Sequence, residues 1–132
     1  MSAQSGISAS EELINSFKEY VDENHSILLA TIRDEKVNIS DIIKGSSSLK
    51  DDFEELKSLV TDSDPKYIIV KHDYNEKLYT FISFVPDYAA VKDKMLYASS
   101  KNTLIRSLGS EFFTNLLFWN SVDEVEYDNW KH

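Results

Sequence analysis

The stretch that decides the fold is Phe84-Val85-Pro86-Asp87-Tyr88-Ala89-Ala90-Val91-Lys92-Asp93-Lys94-Met95-Leu96-Tyr97-Ala98-Ser99-Ser100-Lys101. The run ending in Phe84-Val85 reads as the end of a strand. Pro86 then stands where a helix can begin, because the first helical turn needs no N–H at that position. No glycine or further proline interrupts the chain until Gly109, which supplies the stop. A helix of that extent is roughly 30 Å long, about the width of a small domain.

Helical spacing gives this segment two apolar stripes. Ala90, Tyr97, Leu104 and Leu108 share one side. Val91, Met95, Ala98 and Ile105 form a second, rotated by about a quarter turn, with Asn102 in line and Lys92 and Lys94 beside its start. One stripe must seat the helix on a sheet. The second is either buried under other elements or, in its N-terminal half around Met95, offered to a partner. Pattern alone leaves both open.

Outward from this stretch, the 132 residues and 42% hydrophobic content fit one domain over residues 1–132 with a real core. Cysteine is absent, so there is no disulfide framework and no thiolate metal site, which suits a reducing compartment. No leader-like or membrane-spanning run is evident. The net charge of −9 argues against nucleic acid as a partner of the surface as a whole. The charge is uneven, however. Val91 to Leu108 carries Lys92, Lys94, Lys101 and Arg106 against Asp93 alone, a local +3, so the rest must carry −12 to reach the total of −9. A positive helix on an acidic body fits orientation toward an acidic partner. Ordinary charge scatter on a solvated helix is the alternative.

Toward the N-terminus, Met1 to Ile7 is small and polar and reads as a mobile arm. Ser8-x-x-Glu11 is a capping box, followed by Leu13, Ile14, Phe17, Tyr20 and Val21 at helical spacing to about Asn24. Ser26 to Arg33 is an apolar run of strand length. Asp34-Glu35 turns it, and Lys36 to Ile43 completes a hairpin. Leu49 to Val60 is helical, with Asp51-Asp52 and Glu54-Glu55 on its solvated side, and Ser63-Asp64-Pro65 breaks it. Lys66 to Lys71 and Lys77 to Val85 form a second hairpin about Asp73 to Glu76. Beyond the long helix, Phe112 to Trp119 reads as a strand or a tight loop feeding one. Ser121-x-x-Glu124 caps a last, short helix that begins at Val122, Val125 and Tyr127. The fold class is therefore α/β of the α+β type: a central, mostly antiparallel mixed sheet of five to six strands with helices on both faces.

Catalytic chemistry finds no constellation. The three histidines, His25, His72 and His132, have no partner at metal spacing, and three glycines exclude most phosphate cradles. Asp62-Ser63-Asp64 opens like a calcium loop, but Pro65 and the missing central glycine rule out an EF-hand. The aromatic residues stand mainly at core periodicity. The expectation is a protein that is not an enzyme and carries no cofactor.

Pro86-Asp87, followed by Lys92-Asp93-Lys94-Met95-Leu96-Tyr97-Ala98-Ser99-Ser100-Lys101, resembles the signature of the actin-depolymerising factor homology domain, the cofilin-like family. The element order resembles that fold along essentially the whole chain. The opening, Met1 to Ile7 followed by Ala9 and Glu11-Glu12-Leu13, is similar to that of two-domain members of the family, in their N-terminal domain. The resemblance implies binding of actin, chiefly the ADP-bound monomer, with sequestration and inhibited filament assembly. It places Ser5, Gly6, Ile7, Lys92, Lys94, Met95 and Asn102 at the actin contact. It implies phosphoinositide binding at Lys92, Lys94 and Lys101, and phosphorylation at Ser5. It also implies a cytoplasmic, cytoskeletal location in cortical patches, and a capping-protein contact only through regions outside this chain. Two departures stand out. Glu76 and Leu78 occupy positions where filament-side binders are basic, and the family's last helix is cut short after Trp130. Both favour the monomer over the filament side. The alternatives are a filament-side or a phosphoinositide-binding relative on the same fold.

Overall fold

A computed structural model of the chain describes residues 7–22, 25–44, 48–71 and 79–130. Among the described residues six strands, β1 (Ser8–Ala9), β2 (His25–Arg33), β3 (Lys36–Lys44), β4 (Lys66–Lys71), β5 (Tyr79–Phe84) and β6 (Phe113–Trp119), form one sheet in the order β1-β3-β2-β4-β5-β6. The three inner pairings are antiparallel, and the two outer ones, β1 with β3 and β5 with β6, are parallel. The helices are α1 (Glu11–Asp22), α2 (Leu49–Leu59), α3 (Val91–Leu108) and the one-turn α4 (Tyr127–Trp130). This is the expected mixed, mainly antiparallel sheet with helices on both faces. The parallel edge at β6 exists because α3 carries the chain back across the sheet, a crossover that no hairpin can supply.

Each face of the sheet has its own core. On one, Leu13 and Phe17 of α1 and Tyr97, Leu104, Ile105 and Leu108 of α3 pack on Leu28, Ala30, Tyr67, Ile69, Tyr79 and Phe81. On the other, Phe53 and Leu56 of α2, with Val125 and Trp130, pack on Ile27, Leu29, Ile68, Val70, Ile82 and Phe84. The alternation of β2, β4 and β5 feeds both cores, so these strands read as continuous apolar runs. In β3, Leu29 pairs Asp41 while Ala30 pairs Ile39, which leaves Ser40 as an inserted residue. That bulge switches the facing of β3: Ile39 and Ile42 pack in the first core, Ile43 in the second.

Several local expectations need correction. The long helix does not begin at Pro86. Val85 N–H donates to the Trp119 carbonyl and Asp87 N–H to that of Asn120, so the sheet pairing runs on past β5. Pro86, lacking an N–H, sits between these two bonded positions. A turn then closes from Ala89 N–H to the Pro86 carbonyl, and α3 starts only after Ala90, an extended cap residue at φ −61 and ψ 144. Ala90 is exposed and outside the helix. Gly109 does end the helix, at φ 112, with its N–H on the Ile105 carbonyl. Ser8 is not the cap of α1: Ser8 and Ala9 pair with Lys36 and Val37, and the Leu13 N–H donates to Ser10 Oγ at 3.0 Å. Ile7, expected at the end of a mobile arm, is instead buried in the first core, while residues 1–6 lie outside the described residues. Asp52 is buried, not solvated, because it shares a helical face with Phe53 and Leu56. Ser121 caps as expected, accepting from Asp123 N–H, but it opens a single 3₁₀ turn, Val122–Glu124, ahead of α4. β2 opens at His25, one residue before the Ser26 read from the sequence.

Candidate functional site

α3 is anchored by its buried stripe, and the anchor fixes what its other side shows. The Tyr97 hydroxyl accepts a hydrogen bond from the Ile32 N–H at 2.8 Å. The Tyr67 hydroxyl donates to the Tyr97 carbonyl, and the two rings lie 5.0 Å apart. Burial holds both phenols protonated, raising each above its ordinary range. With Tyr97, Leu104 and Leu108 facing the sheet, Val91, Met95, Ala98 and Asn102 face solvent along one line. Met95 is 67% exposed and Val91 70%. Tyr88, in the turn before the helix, is 81% exposed and extends the apolar surface beyond the first turn.

The cations frame this line. Lys92 is exposed on one side of Met95, and Lys94 is half-buried on the other. Lys101, two turns on, shares the Lys94 flank, where both border a groove beside β6. α3 thus brings Lys92, Lys94, Met95 and Asn102 onto one accessible side. Of the two stripes read from the sequence, the N-terminal half of the second is the exposed one, while Ile105 at its far end is core. Ile7 does not join this set, since its side chain is engaged inside the protein. Ser5 and Gly6 lie outside the described residues, as do Glu76, Leu78, His72 and His132. Among the described residues no group of acidic, histidine or cysteine side chains could hold a metal, and no helix is long and apolar enough to cross a membrane.

Sequence reasoning missed three exposed apolar side chains, two of them aromatic residues of a kind it placed mainly at core positions. Besides Tyr88, they are Leu116 and Phe118, which are 52% and 61% exposed. The signal was present in β6 as alternation. Leu117 and Trp119 pack in the second core, so Leu116 and Phe118 emerge on the α3 side of an edge strand.

A family model for cofilin/tropomyosin-type actin-binding proteins matches residues 6–132. Twinfilin-1 of Saccharomyces cerevisiae is 38% identical over 112 residues, covering 83% of this chain and 32% of that protein. Twinfilin of Dictyostelium discoideum is 30% identical over 132 residues, covering 94% and 38%. The chain therefore spans about a third of the length of these relatives. The solved structure of Eh twinfilin superposes with a TM-score of 0.81 at 28% identity, covering 89% of each chain. Actin depolymerization factor 2 of Plasmodium berghei shares the fold, with a TM-score of 0.82 at 24% identity over 94% of this chain and 93% of that one. A match along nearly the whole chain, on a fold that presents the family's helix as described, makes the protein a member of the cofilin/tropomyosin-type actin-binding family, with a domain similar to those of twinfilins.

Proposed function

We propose that this chain binds the actin monomer, chiefly in its ADP state, through the N-terminal half of α3, and that it sequesters the monomer from filament assembly without catalysis. One observation carries the reading. An apolar line, Val91 and Met95, stands exposed between Lys92 and Lys94 on a chain whose net charge is otherwise strongly negative. An exposed apolar stripe on a helix is matched by a hydrophobic cleft, and flanking cations by acids at its rim. The two lysines set orientation and association rate; Met95 supplies buried area once docked.

The test is titration of labelled monomeric actin with the chain and with Lys92→Ala/Lys94→Ala. The double variant should bind about 1–3 kcal/mol more weakly, chiefly through slower association, and with a shallower salt dependence. Equal affinity overturns the proposal, as does binding confined to sedimented filaments. Filament-side binding is the competing reading, and the departures at Glu76 and Leu78 speak against it.

A second reading rests on Lys94 and Lys101 sharing one flank of α3, with Lys92 near: a phosphoinositide headgroup held there in competition with actin. At a net charge of −9 this binding is weak and salt-sensitive. Flotation with phosphoinositide vesicles, with and without actin, checks it. Phosphorylation at Ser5 belongs to the same proposal. A phosphate adds about −1.5 to −2 charge where acids on actin must be met, so Ser5→Asp should weaken binding. The setting is the cytoplasmic actin cytoskeleton, including cortical patches, with capping protein reached only through regions outside this chain.

A further inference from the structure

The side chains that β5 directs toward α3 run Tyr79, Phe81, Ser83 and Val85. Beside Ser83 in the ladder stand Tyr67 on β4 and Phe118 on β6. One small side chain is thus surrounded by larger ones, and the space above it is a groove of about 290 Å³ between α3 and β6. Lys94 and Lys101 form one wall and Phe118 the other; Asp87 and Asn120 border it where the two strands end. Ser83 is only 6% exposed, and its Oγ has no hydrogen-bond partner among the described residues. A buried hydroxyl left without a partner is costly, which marks it as a group awaiting one.

The chemistry of the walls defines what fits. Lys94 and Lys101 are two helical turns apart, so their stems lie along the same flank and both side chains line the groove. Neither has an ion-pair partner among the described residues. Phe118 offers an exposed ring opposite. Such a site takes an anionic head on an apolar stem. Its volume falls just below the roughly 300–1,000 Å³ of sites for drug-sized ligands, the size for one or two protein side chains. Ala98, which stands on the same exposed line of α3 as Met95, also lines the groove.

We propose that this groove is a socket for a carboxylate-bearing segment of the actin monomer. The acid lies between Lys94 and Lys101 and accepts a hydrogen bond from the Ser83 hydroxyl, and its apolar stem lies along Phe118. The inference rests on α3 as the actin-binding element and adds a pocket that specifies what reaches past the helix. A charge-assisted bond from a hydroxyl to a carboxylate is among the stronger kinds, and it satisfies a buried hydroxyl that has no hydrogen-bond partner among the described residues.

The test is affinity for monomeric actin, with thermal unfolding measured alongside. Ser83→Leu fills the socket from its floor and should cost at least tenfold in affinity while the unfolding midpoint holds or rises. Phe118→Ser, at an exposed position that the fold does not need, should cost a similar factor. Lys101→Gln should cost several-fold and reduce the salt dependence. Leu116→Ser, on the same face of β6 but outside the socket, should bind like the parent. Should Ser83→Leu and Phe118→Ser both hold actin as tightly as the parent, while Lys92→Ala/Lys94→Ala still loses it, the socket is refuted and the α3 interface stands. Should Ser83→Leu fail to fold, Phe118→Ser and Lys101→Gln decide alone, and parental affinity in both refutes the socket. A parent chain that does not bind monomer overturns the interface and the socket together.

Discussion

Tyr67 and Tyr97 hold α3 to the sheet from two directions. The Tyr67 hydroxyl, rising from β4, donates to the main-chain carbonyl of Tyr97, and the Tyr97 hydroxyl accepts from the Ile32 N–H of β2. The rings pack 43° apart in tilt, with Phe81 against Tyr67. Because a helix turns 100° per residue, fixing Tyr97 toward the sheet sends Met95 and Asn102 to the opposite side. The rotation of the helix, and so the face it shows a partner, follows from this pair.

Tyr67→Phe removes one bond and leaves the packing, so it should cost about 0.5–1.5 kcal/mol of stability, read as a lower urea midpoint at unchanged slope. The same pair predicts a pH dependence. Burial raises the Tyr67 phenol above its ordinary value of 10.0, and burial raises Tyr97 as well, the Ile32 N–H only partly opposing it. Below pH 10 these tyrosines are protonated in both states and contribute their full stabilisation. Above it the unfolded chain loses protons that the folded chain keeps, so stability falls with pH by up to about 1.4 kcal/mol per unit for each tyrosine. Tyr67→Phe should make that alkaline decline shallower. A variant as steep as the parent contradicts the assignment.

Gly109→Ala should destabilise by roughly 1–3 kcal/mol. Gly109 sits at φ 112, where side-chain-bearing residues are strained. An added Cβ would lie 2.9 Å from Cδ2 and 3.0 Å from Cε2 of the Phe112 ring. Phe112 packs edge-on to Phe17, so the ring cannot yield without disturbing α1. A shift in unfolding midpoint without a shift in actin affinity is the expected result, because the stop of α3 lies at the far end from Met95.

What the sequence disclosed and what it hid divide along the range of the forces involved. The β2–β3 hairpin was readable because the cause is local: apolar runs joined by Asp34 and Glu35, both at positive φ, in a two-residue turn. β4 was readable from the apolar run between Lys66 and Lys71. The start of α3 was not, since it is set by bonds from Val85 and Asp87 to Trp119 and Asn120, which are distant in sequence. The cap of α1 shifted from Ser8 to Ser10 for the same reason, because pairing with β3 claims Ser8 and Ala9. At the site, Lys92, Lys94, Met95 and Asn102 lie within one helix and were found together. Phe118 joins them only through the parallel pairing of β6, which spacing within one segment cannot show.

Met95→Asp separates binding from folding. Met95 is largely exposed, so the change should move stability by no more than about 0.5 kcal/mol. In a docked cleft the same change buries a carboxylate where an apolar side chain belonged and adds a negative charge between Lys92 and Lys94. Monomer affinity should fall by more than tenfold. Thermal unfolding together with actin titration checks both halves, and an unchanged affinity would mean that the tip of α3 is not at the contact.

Trp130→Ala probes the opposite face. Trp130 is buried beside Phe53, ring centroids 5.6 Å apart, with Tyr127 against both. α4 is one turn long, too short to be stable alone, so its place on the sheet depends on this aromatic cluster. Truncating the indole should cost about 3–5 kcal/mol, a large share of the stability of a domain this size. The two cores lie on opposite sides of the sheet, and α3 belongs to the other one. Well below its lowered unfolding midpoint, Trp130→Ala should therefore bind monomeric actin as the parent does. Loss of affinity there, in a chain whose circular dichroism still matches the parent, would show that the second core shapes the α3 surface and that the two faces are coupled through the sheet.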